Sequence, residues 1–273
     1  MMFDDSADIQ AFYNANPEYE DERLSRHQLE FDMTWRYLDQ FLPESGHILE
    51  VGAATGKYTV GLAKRGYQVT AVDISTGLLE MCRDTLAQEK LLDTVDLVEA
   101  DARDLSQIKK GDFDAVLLMG PLYHLFSEGE RQQALRESMN HLRPGGILFS
   151  AHISRFGIMG NIIRMDPALI DDEQTLEAVV EYGYIPKEKA HSGFHGYFAT
   201  VPELVPLHES IGLETIILAG IEPGISDDDE SYNKLKGKQR ERWLDLFYEM
   251  SKMPSVIGAS RHLLYVGQKP KYK

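Results

Sequence analysis

The segment Ile48-Leu-Glu-Val-Gly-Ala-Ala-Thr-Gly56 constrains the fold more than any other stretch of this chain. Ile48, Leu49 and Val51 form an apolar run that suits a central parallel strand buried on both faces. Gly52 and Gly56 then permit a turn whose amides can approach a ligand closely, and a helix follows. In α/β sheets that order of strand, glycine turn and helix is where nucleotide-like ligands bind. A second strand, Gln68 to Asp73, ends in a carboxylate roughly twenty residues after the turn, where such folds hydrogen-bond ribose hydroxyls. A third, Val95 to Asp101, ends in another carboxylate. Singly, an acidic residue ends a strand because turns are solvated and its side chain accepts local hydrogen bonds. Glu50, Asp73 and Asp101, in register with one glycine turn, point instead to a site, with a bracing role for Glu50 left open.

Strand and helix signals alternate from residue 47 to about 153, which predicts βαβ units and a parallel sheet. Residues 18 to 42 read as one helix, with Leu24, Phe31, Trp35, Leu38 and Leu42 on an apolar stripe and Pro43 ending it. Ser127-Glu-Gly-Glu130 and Thr200-Val-Pro-Glu203 both have the form of a capping box. A strand at Glu214 to Ala219, a helix around Ser231 to Met250 and a strand at His262 to Gly267 close the chain. Residues 154 to 199 separate the fifth strand from the helix that would normally follow it. A loop of that length usually has a task. Its glycines, aromatics and titratable groups suit a lid, or an extension used for dimer contacts.

These motifs resemble, one by one, those of the class I S-adenosylmethionine-dependent methyltransferases, over about residues 46 to 153. Glu50-Val-Gly-Ala-Ala-Thr-Gly56 looks like their first motif, with Ala54 in place of the middle glycine. Asp73 falls where the family places the carboxylate that grips both ribose hydroxyls, with Ile74 against the adenine. Asp101-Ala102 matches the pair that reads the adenine edge, and His141-Leu-Arg-Pro-Gly-Gly-Ile-Leu-Phe149 fits the helix, turn and fifth strand. The resemblance implies a Rossmann-like α/β fold: a seven-stranded, mostly parallel sheet with an antiparallel last strand. It divides the chain into an N-terminal helical cap (1–45), a cofactor-binding core (46–153), a lid insertion over the acceptor pocket (154–199) and the rest of the sheet (200–273). Cofactor contacts are then expected from Glu50, Gly52, Ala53, Gly56, Asp73, Ile74, Asp101, Ala102 and Met119. The competing dinucleotide fingerprint G-x-G-x-x-G fits less well, because Ala54 and Lys57 stand where two of its glycines belong.

The acceptor side is expected after the fourth strand, Asp114 to Met119, in Gly120-Pro-Leu-Tyr-His-Leu125. His124 is a candidate general base, its ordinary pKa lying near neutrality, and Tyr123 a pocket wall or donor. His152, Arg155 and His195 are further acceptor-side candidates, and Phe12, Tyr13, Tyr19 and Arg23 are placed to close the site from above. The loop departs from the N/D-P-P-Y/F motif of enzymes that methylate exocyclic base amines. A net charge of −16, without a clustered basic patch, also argues against a nucleic-acid partner. His191 and His195 lie among glycines, so a helical metal pair is not expected, and no metal is predicted.

No run of eighteen apolar residues occurs, and the N-terminus is acidic, which argues against a membrane span or secretory signal. The single cysteine, Cys82, excludes an intramolecular disulfide and suits a reducing cytoplasm. The expected function is methyl transfer from S-adenosyl-L-methionine to oxygen or nitrogen of a small organic molecule, with a homodimer as an expected assembly. The competing readings are a noncatalytic cofactor-binding module that serves a partner protein, and a protein or RNA methyltransferase.

Overall fold

The computed structural model describes residues 6–15, 17–109, 112–186, 189, 196–223 and 229–271. Three helices come first: α1 (Ser6–Ala15), α2 (Pro17–Arg26) and α3 (Gln28–Phe41). The alternating region follows, with β1 (His47–Val51), α4 (Lys57–Lys64), β2 (Gln68–Asp73), α5 (Thr76–Gln88), β3 (Val95–Glu99), β4 (Phe113–Leu118), α6 (Glu128–His141) and β5 (Leu142–Ser154). After α7 (Met159–Met165), α8 (Glu173–Glu177) and a π-helical turn at Ala178–Tyr182, the chain returns as the two-residue strand β6 (Phe198–Ala199). It closes with α9 (Val201–Glu209), β7 (Glu214–Gly220), α10 (Asp229–Asn233), α11 (Gly237–Met250), α12 (Pro254–Ala259) and β8 (His262–Gln268).

The sheet order is β3-β2-β1-β4-β5-β8-β7. β1 to β5 pair in parallel, and the last strand, β8, runs antiparallel between β5 and β7. This is the expected seven-stranded arrangement, to which β6 adds a parallel pair at the end of β5. Consecutive apolar residues in the central strands serve opposite faces. Ile48, Ala115 and Leu117 enter the core beneath α3, α4 and α11, whereas Leu49, Val116 and Leu118 enter the core beneath α6 and α9. Period-two alternation thus requires both sets to be apolar, which is why these strands read as unbroken apolar runs. Among the described residues no helix is long and apolar enough to cross a membrane.

Several local expectations are corrected. The helix expected over residues 18 to 42 is two helices, broken at His27, whose backbone leaves the helical region and whose Nδ1 lies 2.7 Å from Asp229 Oδ2. Its second half, α3, is a core helix: Leu29, Met33, Trp35 and Leu38 are buried against the sheet. The helix expected at Ser231 to Met250 is likewise divided into α10 and α11. β3 ends at Glu99, so Asp101 belongs to the following turn rather than to the strand. The capping box at Ser127 forms in full, but Thr200 Oγ1 donates to Glu203 Oε2 (2.6 Å), and no side chain caps the α9 amides.

Candidate active site

A cavity opens at the C-terminal ends of the parallel strands, where the strand order reverses between β1 and β4 and open α/β sheets leave a crevice. It encloses about 750 Å3 including its mouth, within the usual size of small-molecule sites. Gly52 forms its floor with φ +84°, and its N–H donates to Val72 O. A Cβ at Gly52 would stand 2.5 Å from Pro121 Cδ and 2.7 Å from Met119 O, so the turn packs directly on the loop after β4 only because this residue is glycine. Ala54 also takes a left-handed conformation (φ +49°) and turns its N–H onto Asp73 Oδ2 at 2.8 Å.

Asp73 receives a second amide, Ser75 N, on Oδ1 at 2.9 Å. Burial raises its carboxyl to about 6, against the Ser75 and Ala54 amides that favour the charged form. Both oxygens are therefore aimed by backbone donors while the carboxylate still lines the cavity. Ile74, Leu78, Ala102 and Met119 give that end an apolar slot. Asp101 lines it too, gripped by Arg103 through Nε (3.0 Å) and Nη2 (2.7 Å), and Arg103 is tied in turn to Glu130 at 2.7 Å.

Three of the expected contact residues lie behind the turn, not on the cavity wall. Glu50 is buried and accepts Thr59 Oγ1 at 2.5 Å, and burial raises its carboxyl to about 8. Ala53 packs into the core beneath α4. Gly56 lets the chain pass against α5, since a Cβ there would lie 2.3 Å from Cys82 Sγ.

The opposite wall is built by the loop 120–125 and by the first two helices. Tyr123 and His124 both line it, and Tyr13 Oη lies 2.9 Å from His124 Nε2. Burial, with Tyr123 and Glu20 nearby, holds the Tyr13 phenol well above its ordinary pKa, so it keeps a proton to donate to that nitrogen. The loop is fixed from outside by Arg131, whose Nη1 donates to Leu125 O and Phe126 O, both at 2.8 Å. Tyr197 N donates to Tyr123 O at 2.7 Å, and Tyr123 packs against the cluster of Ile153, Ile158, Val179 and Phe198. The 154–199 segment therefore reaches the same loop. Glu20 and Arg23 complete the wall.

His152 and Arg155 are not on the cavity wall. His152 is buried beside Ser150 Oγ (3.1 Å), which also meets His208 Nε2 (2.7 Å), and desolvation holds His152 neutral and lowers His208 to about 4. Arg155 donates to the carbonyls of Phe198, Val180 and Glu181, binding its own segment together. His195 lies outside the described residues. The pairing of Tyr13 with His124 crosses 111 residues, and nothing local in the sequence marks it.

A second polar cluster lies between α2, α3 and the end of the sheet. His27, Glu222 and Asp229, and Glu30, Glu222 and His262, each bring potential metal-ligand atoms within 4.8 Å of one another. Arg261 stands among them as the cation, donating to Glu222 and, at 3.2 Å, to Asp229. The arrangement is an ion-pair network joining α3, α10 and β8.

Residues 48–146 match the family model described as a methyltransferase domain. The chain is 35% identical over 107 residues to a glycine/sarcosine N-methyltransferase of Parasynechococcus marenigrum, covering 38% of this chain and 37% of that protein. It is 24% identical over 136 residues to a tRNA 5-carboxymethoxyuridine methyltransferase of Escherichia coli, covering 48% and 51%. The chain thus spans about half or less of the length of the curated relatives it matches. In fold it is similar to a SAM-dependent methyltransferase of Methanosarcina mazei (TM-score 0.61, 18% identity), over 86% of this chain and 98% of that one.

Proposed function

With residues 48–146 forming a class I S-adenosylmethionine-dependent methyltransferase domain, we propose that this chain transfers a methyl group to an oxygen or nitrogen of a small organic molecule. One observation carries the proposal. A single cavity joins the amide-aimed carboxylate of Asp73, at the glycine turn, to the hydrogen-bonded pair Tyr13 and His124 across from it. The residues fit the cofactor. Asp73 offers two acceptor oxygens to a pair of hydroxyls, Asp101 offers an acceptor to an exocyclic amine, and Ile74, Leu78, Ala102 and Met119 flank a flat apolar ring. Gly52 keeps the floor open, while Glu50, Ala53 and Gly56 brace the turn from behind.

When bound, the cofactor would supply a methyl group activated by its sulfonium, with a neutral thioether as the leaving group. The chain aligns the acceptor, takes its proton and keeps water away. As the acceptor's bond to carbon forms, its O–H or N–H bond breaks, and His124 Nε2 receives the proton, directly or by way of Tyr13 Oη. Arg131 and Tyr197 hold the loop that carries His124. The 154–199 segment, packed on Tyr123, acts as the lid, and α1 with α2 acts as the cap.

The net charge of −16 supports a small acceptor over a nucleic acid, as does a cavity walled on one side by α1 and α2. The likeness to a tRNA methyltransferase makes RNA the competing acceptor. Calorimetric titration with S-adenosylmethionine and, in parallel, NADH tests the cofactor. Micromolar affinity for the sulfonium compound is expected, lost in Asp73→Ala and absent for NADH. A folded protein that binds only NADH overturns the proposal. With the cofactor established, turnover in the small-molecule fraction of a cell extract, rather than in its RNA fraction, is the expected second result.

A further inference from the structure

We propose that the outer face of α11 joins two copies of this chain, with the two helices antiparallel across a two-fold axis near Leu246. A surface helix ordinarily has one apolar stripe, and α11 has two. Leu244 and Phe247 form the first and are buried in the core. Trp243, Leu246 and, in the turn after the helix, Met253 form the second, and they are 43%, 48% and 51% exposed. Residues 243, 246 and 250 follow one another at helical spacings of three and four, so the half-buried Met250 continues that stripe. Exposed apolar side chains scattered singly need no explanation, whereas a run of them along one helix marks a contact surface.

The charges beside the stripe select the occupant. Arg242 and Glu249 border it on the same edge, about two turns apart, and both are exposed. Glu241 and Asp245 turn away from it, toward Arg36 of α3. Arg242 has no acidic partner among the described residues, and Glu249 holds Lys252 at 3.1 Å in a surface pair that contributes little. An antiparallel copy sets Arg242 of each chain against Glu249 of the other, because the two positions are equidistant from the axis. Trp243 of each copy then lies level with residue 248 of the other, between its Leu246 and its Met250. The stripe is thus complementary to itself in charge and in the placing of its apolar residues, as an isologous interface requires. A parallel copy would set Arg242 against Arg242, and a different protein would need no such symmetry. Opposed helix dipoles add to the attraction.

One helix pair is a small interface, so sedimentation equilibrium is run to about 300 µM, where a dimer with a Kd of ~100 µM holds more than half of the chains. The wild type should approach twice its 30.9 kDa. Arg242→Glu and Glu249→Arg each bring like charges together at two symmetry-related points and should raise Kd by about tenfold or more. Combining the two exchanges restores both pairs and should return Kd to within about threefold of the wild type. Leu246→Glu should leave a monomer. Trp35, the second tryptophan, is already buried, so a blue shift of emission with rising concentration reports Trp243, and the shift should vanish in Leu246→Glu. A wild type that stays monomeric to about 300 µM overturns the proposal and leaves the stripe to another protein. Association that the single exchanges and Leu246→Glu leave unchanged also overturns it, by placing the interface elsewhere. Single exchanges that dissociate the dimer without rescue by the double exchange overturn the two-fold arrangement. Should Leu246→Glu fail to fold by circular dichroism, the charge exchanges decide it.

Discussion

Glu50 carries an electrostatic cost that sits directly behind the glycine turn. Its side chain is 1% exposed and is bonded by Thr59, and burial outweighs that bond, raising the carboxyl to about 8. At pH 7 the folded protein therefore holds this proton while the unfolded chain has released it. A raised carboxyl pKa means that stability falls as pH rises from about 4.5 to about 8. The penalty at pH 7 is on the order of 3 kcal/mol. Glu50→Gln keeps the acceptor for Thr59 and removes the titration. The variant should be more stable than the wild type by about 2 kcal/mol at pH 7, and the gap should close toward pH 4.5. Urea unfolding at pH 5, 6, 7 and 8 measures this, and a gap that does not change with pH would mean that Glu50 is ionised in the fold. The family resemblance makes Glu50 a cofactor contact, whereas the residues alone leave a bracing role open. Strand periodicity holds the better clue: Glu50 shares a face of β1 with Ile48, which packs into the core beneath α4.

At the scale of elements, the sequence was most legible where both faces of a strand are buried. β1, β2 and β4 announce themselves as apolar runs, and glycines or carboxylates mark their C-terminal ends, so the cavity floor could be placed from the chain alone. The 154–199 segment could not be resolved in this way, because its organising partner is backbone. Arg155, read from sequence as an acceptor contact, follows β5 and donates to three carbonyls 25 to 43 residues away. Carbonyl groups have no residue signature. The guanidinium joins the π-helical turn at Ala178–Tyr182 to β6 and so fastens the insertion to the end of the sheet. Arg155→Met would strand these acceptors in a poorly hydrated site, at about 1–3 kcal/mol for each one left unpaired. A total loss of about 3 kcal/mol is expected by chemical unfolding, with amide exchange in residues 178–182 and 197–199 accelerated and that of β1 and β4 little changed. A loss below about 1 kcal/mol with unchanged exchange would show that hydrophobic packing alone holds the insertion.

The whole molecule encloses its cavity with attachments of unequal strength. α2 and α3 are tied to the end of the sheet by buried ion pairs, in which Arg23 and His262 hold the Glu30 carboxyl at about 2 although burial alone would raise it. α1 is attached differently: its described side chains are half-buried or exposed, with the Tyr13 phenol reaching into the cavity. It is held at the rim of the cavity by Gln10 donating to Ile74 O (2.6 Å), by Asn14 Oδ1 accepting from Ser75 Oγ (2.6 Å) and Gly77 N (3.2 Å), and by Tyr13 at His124. Those partners are the residues just after β2 and the loop after β4, so the helix spans the cavity between its two chemical ends. A ligand entering from that side displaces α1, and a bound ligand opposes its opening. Opening that requires release is suppressed by the binding free energy, about 2.7 kcal/mol at a hundredfold excess over Kd. Amide exchange in residues 7–15 should therefore slow by as much as about a hundredfold with saturating S-adenosylhomocysteine. Amides of α9, on the far side of the sheet, report local opening that the ligand does not touch and should change far less. If exchange in α1 is indifferent to the ligand, the helix lies beside the entry route and not across it, and Tyr13 would then be a wall of the site with no part in gating it.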